Sequence, residues 1–322
     1  MQSVLIYNTV WFLTKIRILK YIYSKDVLMD FIIMDLEWNN TYARKTKGFI
    51  NEIIEIGAVK LDENLNFKDK FSCLIKPQIG KKLRGSVKEL TNITNEEVRS
   101  GEPFTKVFSS FRRWVGSESI LLTWGDGDIR VLIDNYKYLN GIDTIPFLSY
   151  YADMQAYIQS VLGTPKSRQI GLSAAAQELG VDESAFSHHR AYDDSLLSAE
   201  CLKKVYSKSA FKPYIRECND EFYARLSFKA HPISNIHSPL IDKSVLDYRC
   251  EICSGKCEQT KQWAFSNQYF RSRYYCPNCD RTVRVAVRFK QYYDRIDIRK
   301  TVSLVVPEAP ENAEETAQDN EK

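Results

Sequence analysis

Three clusters in this sequence have the residue types and spacing of catalytic or metal-binding groups. In the first, the apolar run Phe31-Ile32-Ile33-Met34 leads to Asp35, and Glu37 follows two positions on. Alternate side chains of a β-strand share a face, so the two carboxylates would project together from the end of a buried strand. Such a pair repels, and desolvation worsens the repulsion. The ordinary remedy is a divalent cation that takes hard oxygen ligands, Mg²⁺ or Mn²⁺. In the second cluster, Thr123–Ile129 carries Asp126 and Asp128 after an apolar stretch; in the third, His188–Ser195 carries His188, His189, Asp193 and Asp194. Together they offer four carboxylates and an imidazole for one site.

A separate chemistry lies further on. Cys250-Glu-Ile-Cys253 and Cys276-Pro-Asn-Cys279 are two CxxC knuckles 22 residues apart. Facing knuckles of this kind make a tetrahedral four-thiolate site for one structural Zn²⁺. Cys257, four residues after Cys253, is a competing ligand; Cys73, Cys201 and Cys218 are isolated and read as structural. Eight cysteines in 322 residues do not make a disulfide scaffold, and the CxxC pairs fit a reducing compartment, the cytoplasm. Around the knuckles, bases alternate with aromatic and aliphatic residues. In Arg281–Phe289, Val283, Val285, Val287 and Phe289 alternate with Arg284 and Arg288. That is a strand with one apolar and one cationic face, suited to single-stranded nucleic acid, with Arg284 and Arg288 as substrate-binding residues. A ribbon that binds a protein partner is the other reading.

Several elements must position these groups. Phe31–Glu37, Ile50–Leu61 and Asn66–Ile75 read as strands of an antiparallel meander. Leu90–Val98 reads as a short helix, followed by a second one capped by Asn95. Phe104–Val115 has helical spacing, Ser119–Trp124 reads as a fourth strand, and Ile129–Leu139, Met154–Leu162, Leu172–Leu179 (closed by Gly180) and Ala191–Val205 read as helices. Strands and helices alternate after the meander, which gives an α/β fold with a mixed sheet. The expected organisation is an extension at 1–28, a catalytic domain at 29–206, a connector at 207–247, a zinc ribbon at 248–306 and an acidic, disordered tail at 307–322. Charge follows that division: Tyr248–Val306 has twelve bases and five acids, a net of +7, whereas Pro307–Lys322 has six acids and one base, a net of −5. Residues 1–28 are too interrupted for a membrane span or a signal peptide. An additional helix, an interfacial basic helix and an upstream extension of a protein starting at Met29 stay open, the last favoured; stable membrane association is not expected.

The order Asp35-x-Glu37, then Asp128 in Trp124-Gly-x-x-Asp128, then His189-x-Ala191-x-x-Asp194, resembles the DEDDh class of 3′–5′ exonucleases on the ribonuclease-H-like fold. The likeness covers Met29 to about Tyr206. Within it, Asp35–Asn39 and Glu52–Ala58 are most similar to the RNA-degrading branch, which includes histone-mRNA and small-RNA exonucleases and bacterial sporulation-inhibitor relatives. The resemblance implies two Mg²⁺ or Mn²⁺ on Asp35, Glu37, Asp128 and Asp194, with His189 taking a proton from the attacking water. Asp128 is preferred to Asp126 because Ile129 and Leu132 follow it on an apolar helix face; Ala191 fixes His189 with Asp194 rather than His188 with Asp193. The resemblance also implies that Leu36 and Trp38 contact the terminal nucleotide, although packing against the second strand serves Trp38 equally well. Glu52 and Glu55 read as sheet or substrate-contact residues. The resulting expectation is a metal-dependent exonuclease, RNA-directed, with a DNA proofreading enzyme and a regulatory binding protein as rivals.

Overall fold

The structure, a computed structural model, describes residues 29–165, 168–184, 186 and 189–305. The expectations for residues 1–28, for His188 and for the acidic tail fall outside the described residues. The chain divides into two units, at 226/227.

The first unit is built on a six-stranded sheet. Strands β1 (Asp30–Ala43), β2 (Gly48–Leu61) and β3 (Phe67–Leu74) form the antiparallel meander. β4 (Ser119–Thr123) and β5 (Tyr150–Asp153) follow in parallel with β1, and β6 (Ile215–Glu217) closes the far edge antiparallel, so the order is β3-β2-β1-β4-β5-β6. The helices are α1 (Gly85–Thr91), α2 (Asn95–Ser100), α3 (Phe104–Val115), α4 (Gly127–Asn140), α5 (Met154–Leu162), α6 (Leu172–Glu178), α7 (Ala191–Val205), α8 (Lys208–Phe211) and α9 (Asp220–Ser227). Among the described residues no helix is long and apolar enough to cross a membrane.

β1 shows why both faces of the sheet must be covered. Ile32, Met34 and Leu36 enter one core layer with Phe104, Phe108 and Phe111 of α3 and Ile129 and Leu132 of α4. Phe31 and Ile33 enter the other, with Tyr157 and Ile158 of α5 and Leu197 and Leu202 of α7. Each of these buried side chains contributes roughly 1.5–3 kcal/mol relative to exposure. Asp35 and Glu37 continue the Phe31–Ile33 face, so acids stand where two more apolar residues would extend the second layer.

Some elements depart from the sequence reading. Asn95 is the first residue of α2, not its cap; Thr94 caps it, accepting the Glu97 N–H while the Glu97 carboxylate accepts the Thr94 N–H. Asn95 instead accepts the Leu83 N–H at 2.9 Å. Strand β5 was not anticipated. The stretch expected as a connector, 207–247, contributes to both units: β6 joins the first sheet, Phe222 and Tyr223 of α9 are buried in its core, and β7 (His231–Pro232) pairs within the second unit.

The second unit is a sheet of five strands. β8 (Glu258–Ser266), β9 (Tyr269–Cys276), β10 (Arg281–Gln291) and β11 (Ile296–Leu304) lie in the order β11-β10-β9-β8, and β7 pairs with β10. Its core gathers Phe270, Tyr274, Val283, Val285, Val287 and Phe289 with Ile233, Ile241 and Leu246. Val283, Val285, Val287 and Phe289 are all buried, so the alternation seen in the sequence is the alternation of the sheet.

Candidate active site and four-cysteine cluster

Asp35 and Glu37 leave β1 on one face, and Asp194 comes from the first turn of α7. One carboxylate oxygen of each lies within 4.8 Å of the others. Asp128 stands beside this trio rather than within it. It is in the first turn of α4, only 5% exposed, and accepts the backbone N–H of Leu36 at 3.3 Å. Asp126 turns elsewhere and pairs with Arg130 at 2.8 Å. Asp193 is half-buried in the turn that carries Asp194.

The electrostatics register this crowding. Burial, then the charges of Asp194, Glu55 and Asp128, push the Glu37 carboxyl up to about 8. Burial raises Asp128 to about 7 against the opposing hydrogen bond from Leu36. Asp35 is held well above the usual carboxylate range, by burial first and then by Asp128, Asp194, Glu37 and Glu55. Carboxyls this crowded accept either protons or cations, and a set of oxygen donors with no sulfur or imidazole suits a hard divalent ion. Asp35, Glu37 and Asp194, with Asp128 adjacent, therefore fit the divalent metals that the motif resemblance implies.

His189 is exposed and immediately precedes Arg190 and α7. Its φ is +61°, an uncommon region for a residue with a side chain, which persists only where the surroundings hold it. Those surroundings are clear. Glu55, 2% exposed on β2, accepts from Arg190 through Nε at 3.2 Å and Nη2 at 2.8 Å, and from the Ala191 N–H at 3.2 Å. Two residues on, a Cβ at Gly57 would lie 2.1 Å from the Ala191 carbonyl carbon, so only glycine lets the start of α7 seat on β2. The Ser195 hydroxyl lies 3.0 Å from the Gly57 carbonyl oxygen and 2.8 Å from that of Ala191. The turn bearing His189 and Asp194 is thus fastened to the strand beside the acids.

Glu55 also sits directly opposite Glu37 across β1 and β2, and the register slips just beyond, between Glu37 and Trp38. Like charges facing across strands destabilise a sheet; Arg190 neutralises one of the two and lowers the other. The sequence reading missed Arg190 and Gly57 and left Glu55 without a partner. A usable signal was present: a glutamate enclosed by isoleucines on a buried strand requires a cation or several donors. Glu52 solves the same problem with backbone N–H groups, accepting from Gln78, Ile79 and Gly80 at 2.5, 2.6 and 2.7 Å.

Of the two residues expected at the terminal nucleotide, Leu36 is 2% exposed and packs in the core, so what it presents to the site is its N–H and not its side chain. The reason is parity: it points opposite to Asp35 and Glu37. Trp38 is partly buried against the same core layer.

In the second unit Cys250, Cys253, Cys276 and Cys279 converge, all four sulfurs within 4.8 Å. The Cys250–Cys279 and Cys253–Cys276 sulfur separations are 3.8 and 3.6 Å. A zinc–sulfur distance of about 2.3 Å in a tetrahedron puts sulfurs about 3.8 Å apart, so the cluster has the dimensions for that ion. Backbone N–H groups of Cys253 and Ile252 face the Cys250 sulfur and lower its thiol to about 6, favouring the thiolate that binds metal. Cys257 is outside the quartet; it is buried, and desolvation first and then its sulfur neighbours raise its thiol to about 11.

Comparisons with known proteins bear on the first unit. The family described as Exonuclease matches residues 32–202. The DNA polymerase III PolC-type of Clostridium perfringens is 27% identical over 217 residues, which cover 64% of this chain and 13% of that protein. The 3′-5′ exoribonuclease 1 of Homo sapiens is 26% identical over 142 residues, 42% of this chain and 40% of that protein. The chain thus spans less than half the length of either relative. Among solved structures, the nuclease domain of 3′hExo bound to rAMP superposes with a TM-score of 0.48 at 23% identity, covering 56% of this chain and 92% of that one.

Proposed function

The chain belongs to the exonuclease family, and on that premise we propose that it hydrolyses the 3′-terminal phosphodiester of single-stranded nucleic acid and releases nucleoside 5′-monophosphates. The observation that carries this reading is the convergence of Asp35, Glu37 and Asp194, with Asp128 behind them, at the turn that bears His189.

The residues divide the work. Asp35, Glu37, Asp128 and Asp194 would hold two Mg²⁺ or Mn²⁺, which would neutralise the carboxylates and supply positive charge for the attacking and leaving oxygens. His189, in reach of solvent, takes the proton of the attacking water; an imidazole suits that role near neutrality. Glu55 and Arg190 keep His189 and Asp194 in place. The water oxygen bonds to the terminal phosphorus, the P–O3′ bond breaks, and the shortened strand leaves with a 3′-hydroxyl. In the second unit, Cys250, Cys253, Cys276 and Cys279 bind one structural Zn²⁺, and Arg284 and Arg288 help to hold the strand.

RNA is the favoured substrate, on the strength of the motif resemblance and the exoribonuclease relative. DNA is the second reading, favoured by the PolC-type relative, which matches over a longer stretch. The test is an assay on 3′- and 5′-labelled single-stranded RNA and DNA with Mg²⁺ or Mn²⁺. Stepwise loss of mononucleotides from the 3′ end is expected, with the faster substrate identifying the nucleic acid. Full activity in excess EDTA would overturn the metal-dependent mechanism.

A further inference from the structure

The sheet of the second unit has two chemically opposite faces. Phe270, Ser272, Tyr274 and Cys276 of β9 are buried, as are Val283, Val285, Val287 and Phe289 of β10. The alternate residues form the other face, and there the pairing register places bases against bases. Lys261 lies opposite Arg273, Arg273 opposite Arg284, and Arg288 opposite Arg299. Arg271 lies two residues before Arg273 on β9, and the guanidinium carbons of Arg271 and Arg288 each lie 5.4 Å from the centre of the Tyr269 ring. Among the described residues none of these six bases has a carboxylate at ion-pair distance. Glu258 on edge strand β8 and Asp297 on edge strand β11 share the face, Asp297 paired with Arg295 at 3.2 Å, and Asp280 reaches its end, accepting from the Tyr275 hydroxyl at 2.9 Å.

Like charges placed directly opposite across strands destabilise a sheet. The fold of the unit does not require them, because its apolar core lies on the opposite face and Cys276 points with that core. A polyanion lying on the sheet removes the repulsion. Neighbouring strands are about 4.8 Å apart and alternate residues along a strand about 6.8 Å, so the cations form a grid that a flexible phosphate chain can follow. The Tyr269 ring adds a stacking surface of the kind single-strand binders use.

We propose that this face binds the phosphate backbone of single-stranded nucleic acid, through Lys261, Arg271, Arg273, Arg284, Arg288 and Arg299 with Tyr269 among them. The identity of the polyanion rests on the exonuclease reading; the anion-binding chemistry rests on the face itself. It widens the strand-holding role given to Arg284 and Arg288 to a surface spread over four strands.

The test is titration of the full chain with a fluorescent single-stranded oligonucleotide whose 3′ linkages are phosphorothioates, at several salt concentrations. The triple variant Arg273→Gln, Arg284→Gln, Arg288→Gln should bind at least about tenfold more weakly near 100 mM salt. Its slope of log affinity on log salt should flatten by about 2, at roughly 0.7 per lost phosphate contact. Zinc content should be unchanged, and the melting temperature unchanged or higher, since opposed charges have been removed. Unchanged affinity and slope overturn the inference. Equal displacement of the oligonucleotide by polyglutamate, with both lost in the variant, also overturns it in favour of an acidic protein partner. The exonuclease reading is checked separately with the wild-type chain, Mg²⁺ or Mn²⁺, and the p-nitrophenyl esters of both uridine and thymidine 5′-monophosphate. Both esters intact alongside salt-sensitive binding lost in the variant would sink the hydrolase and leave the face supported.

Discussion

Both units crowd like charges, and the settings are opposite. In the first, carboxylates gather at the end of a buried strand, where desolvation is the largest cause of their raised proton affinity. In the second, guanidinium groups oppose one another on an open sheet face, over a core that does not need them. Buried anions of fixed separation select a small, hard cation, because only a compact charge fits between them and compensates for lost water. Exposed cations on a grid select an extended polyanion, because many weak contacts add up without desolvating any of them deeply. The depth of a charge cluster, as much as its sign, sets the size of its ligand.

The sharpest way to break this comparison is at the acids. Asp35→Ala is expected to lower hydrolysis by at least about a thousandfold, and His189→Ala by about 10²–10⁴-fold, measured as mononucleotide release from labelled strands. Asp35→Ala should retain its zinc and, free of divalent ions, melt no lower than the parent, because one of the crowded carboxyls has gone; a large loss of stability would mean that the residue is structural. The reciprocal change, Cys276→Ser, should abolish zinc binding and expose the second unit to proteolysis, since a four-thiolate site contributes directly to folding; retained zinc stoichiometry would move the ligand set, with Cys257 the first replacement.

A smaller effect is expected at the join between strand and turn. Arg190→Met leaves the buried Glu55 carboxylate with the Ala191 N–H but without its guanidinium. The cost should be about 2 kcal/mol, below that of a fully buried pair because the Arg190 side chain is 36% exposed. Turnover should fall with it while the zinc remains; equal turnover would release the clamp from any part in placing His189 and Asp194. Stability should also depend on pH. Glu37 and Asp128 are raised to about 8 and about 7, so between the ordinary carboxylate range and those values the native state keeps protons that the unfolded chain has released. Stability of the metal-free protein should therefore fall as pH rises from about 5 to 8, and added Mn²⁺ should restore more of it at the upper end, with protons released on binding. Calorimetry in two buffers of different ionisation enthalpy measures that release; none at pH 7 would show that the carboxylates are already ionised.

Much of this architecture is legible in the residues because the relevant patterns are local. The β-branched runs of β1 and β2, the helical spacing of Phe104–Val115 and the alternation in β10 each specify an element from within. What escaped depends on partners distant in sequence. β5 is Tyr-Tyr-Ala-Asp, four residues with little pattern, and it is a strand because β4 and β6 flank it. The segment 207–247 carries prolines that suggest a connector, yet Phe222 and Tyr223 find a core only once the first sheet exists. Thr94 rather than Asn95 caps α2 because Glu97 is placed to return the bond. Three members of the candidate site gather where motif spacing led, whereas Asp128 takes a neighbouring position set by the Leu36 N–H.

Gly57 gives a warning for anyone mapping this protein by substitution. It has no side chain to offer, yet a single methyl group there would collide with the backbone of Ala191 at 2.1 Å. The helix would have to lift, and Asp194 with it. A scan scored by activity would rank this position with the acids, and a scan scored by expression level would rank it with the core. Read together, the two scores separate a hole that must stay empty from a group that must be present.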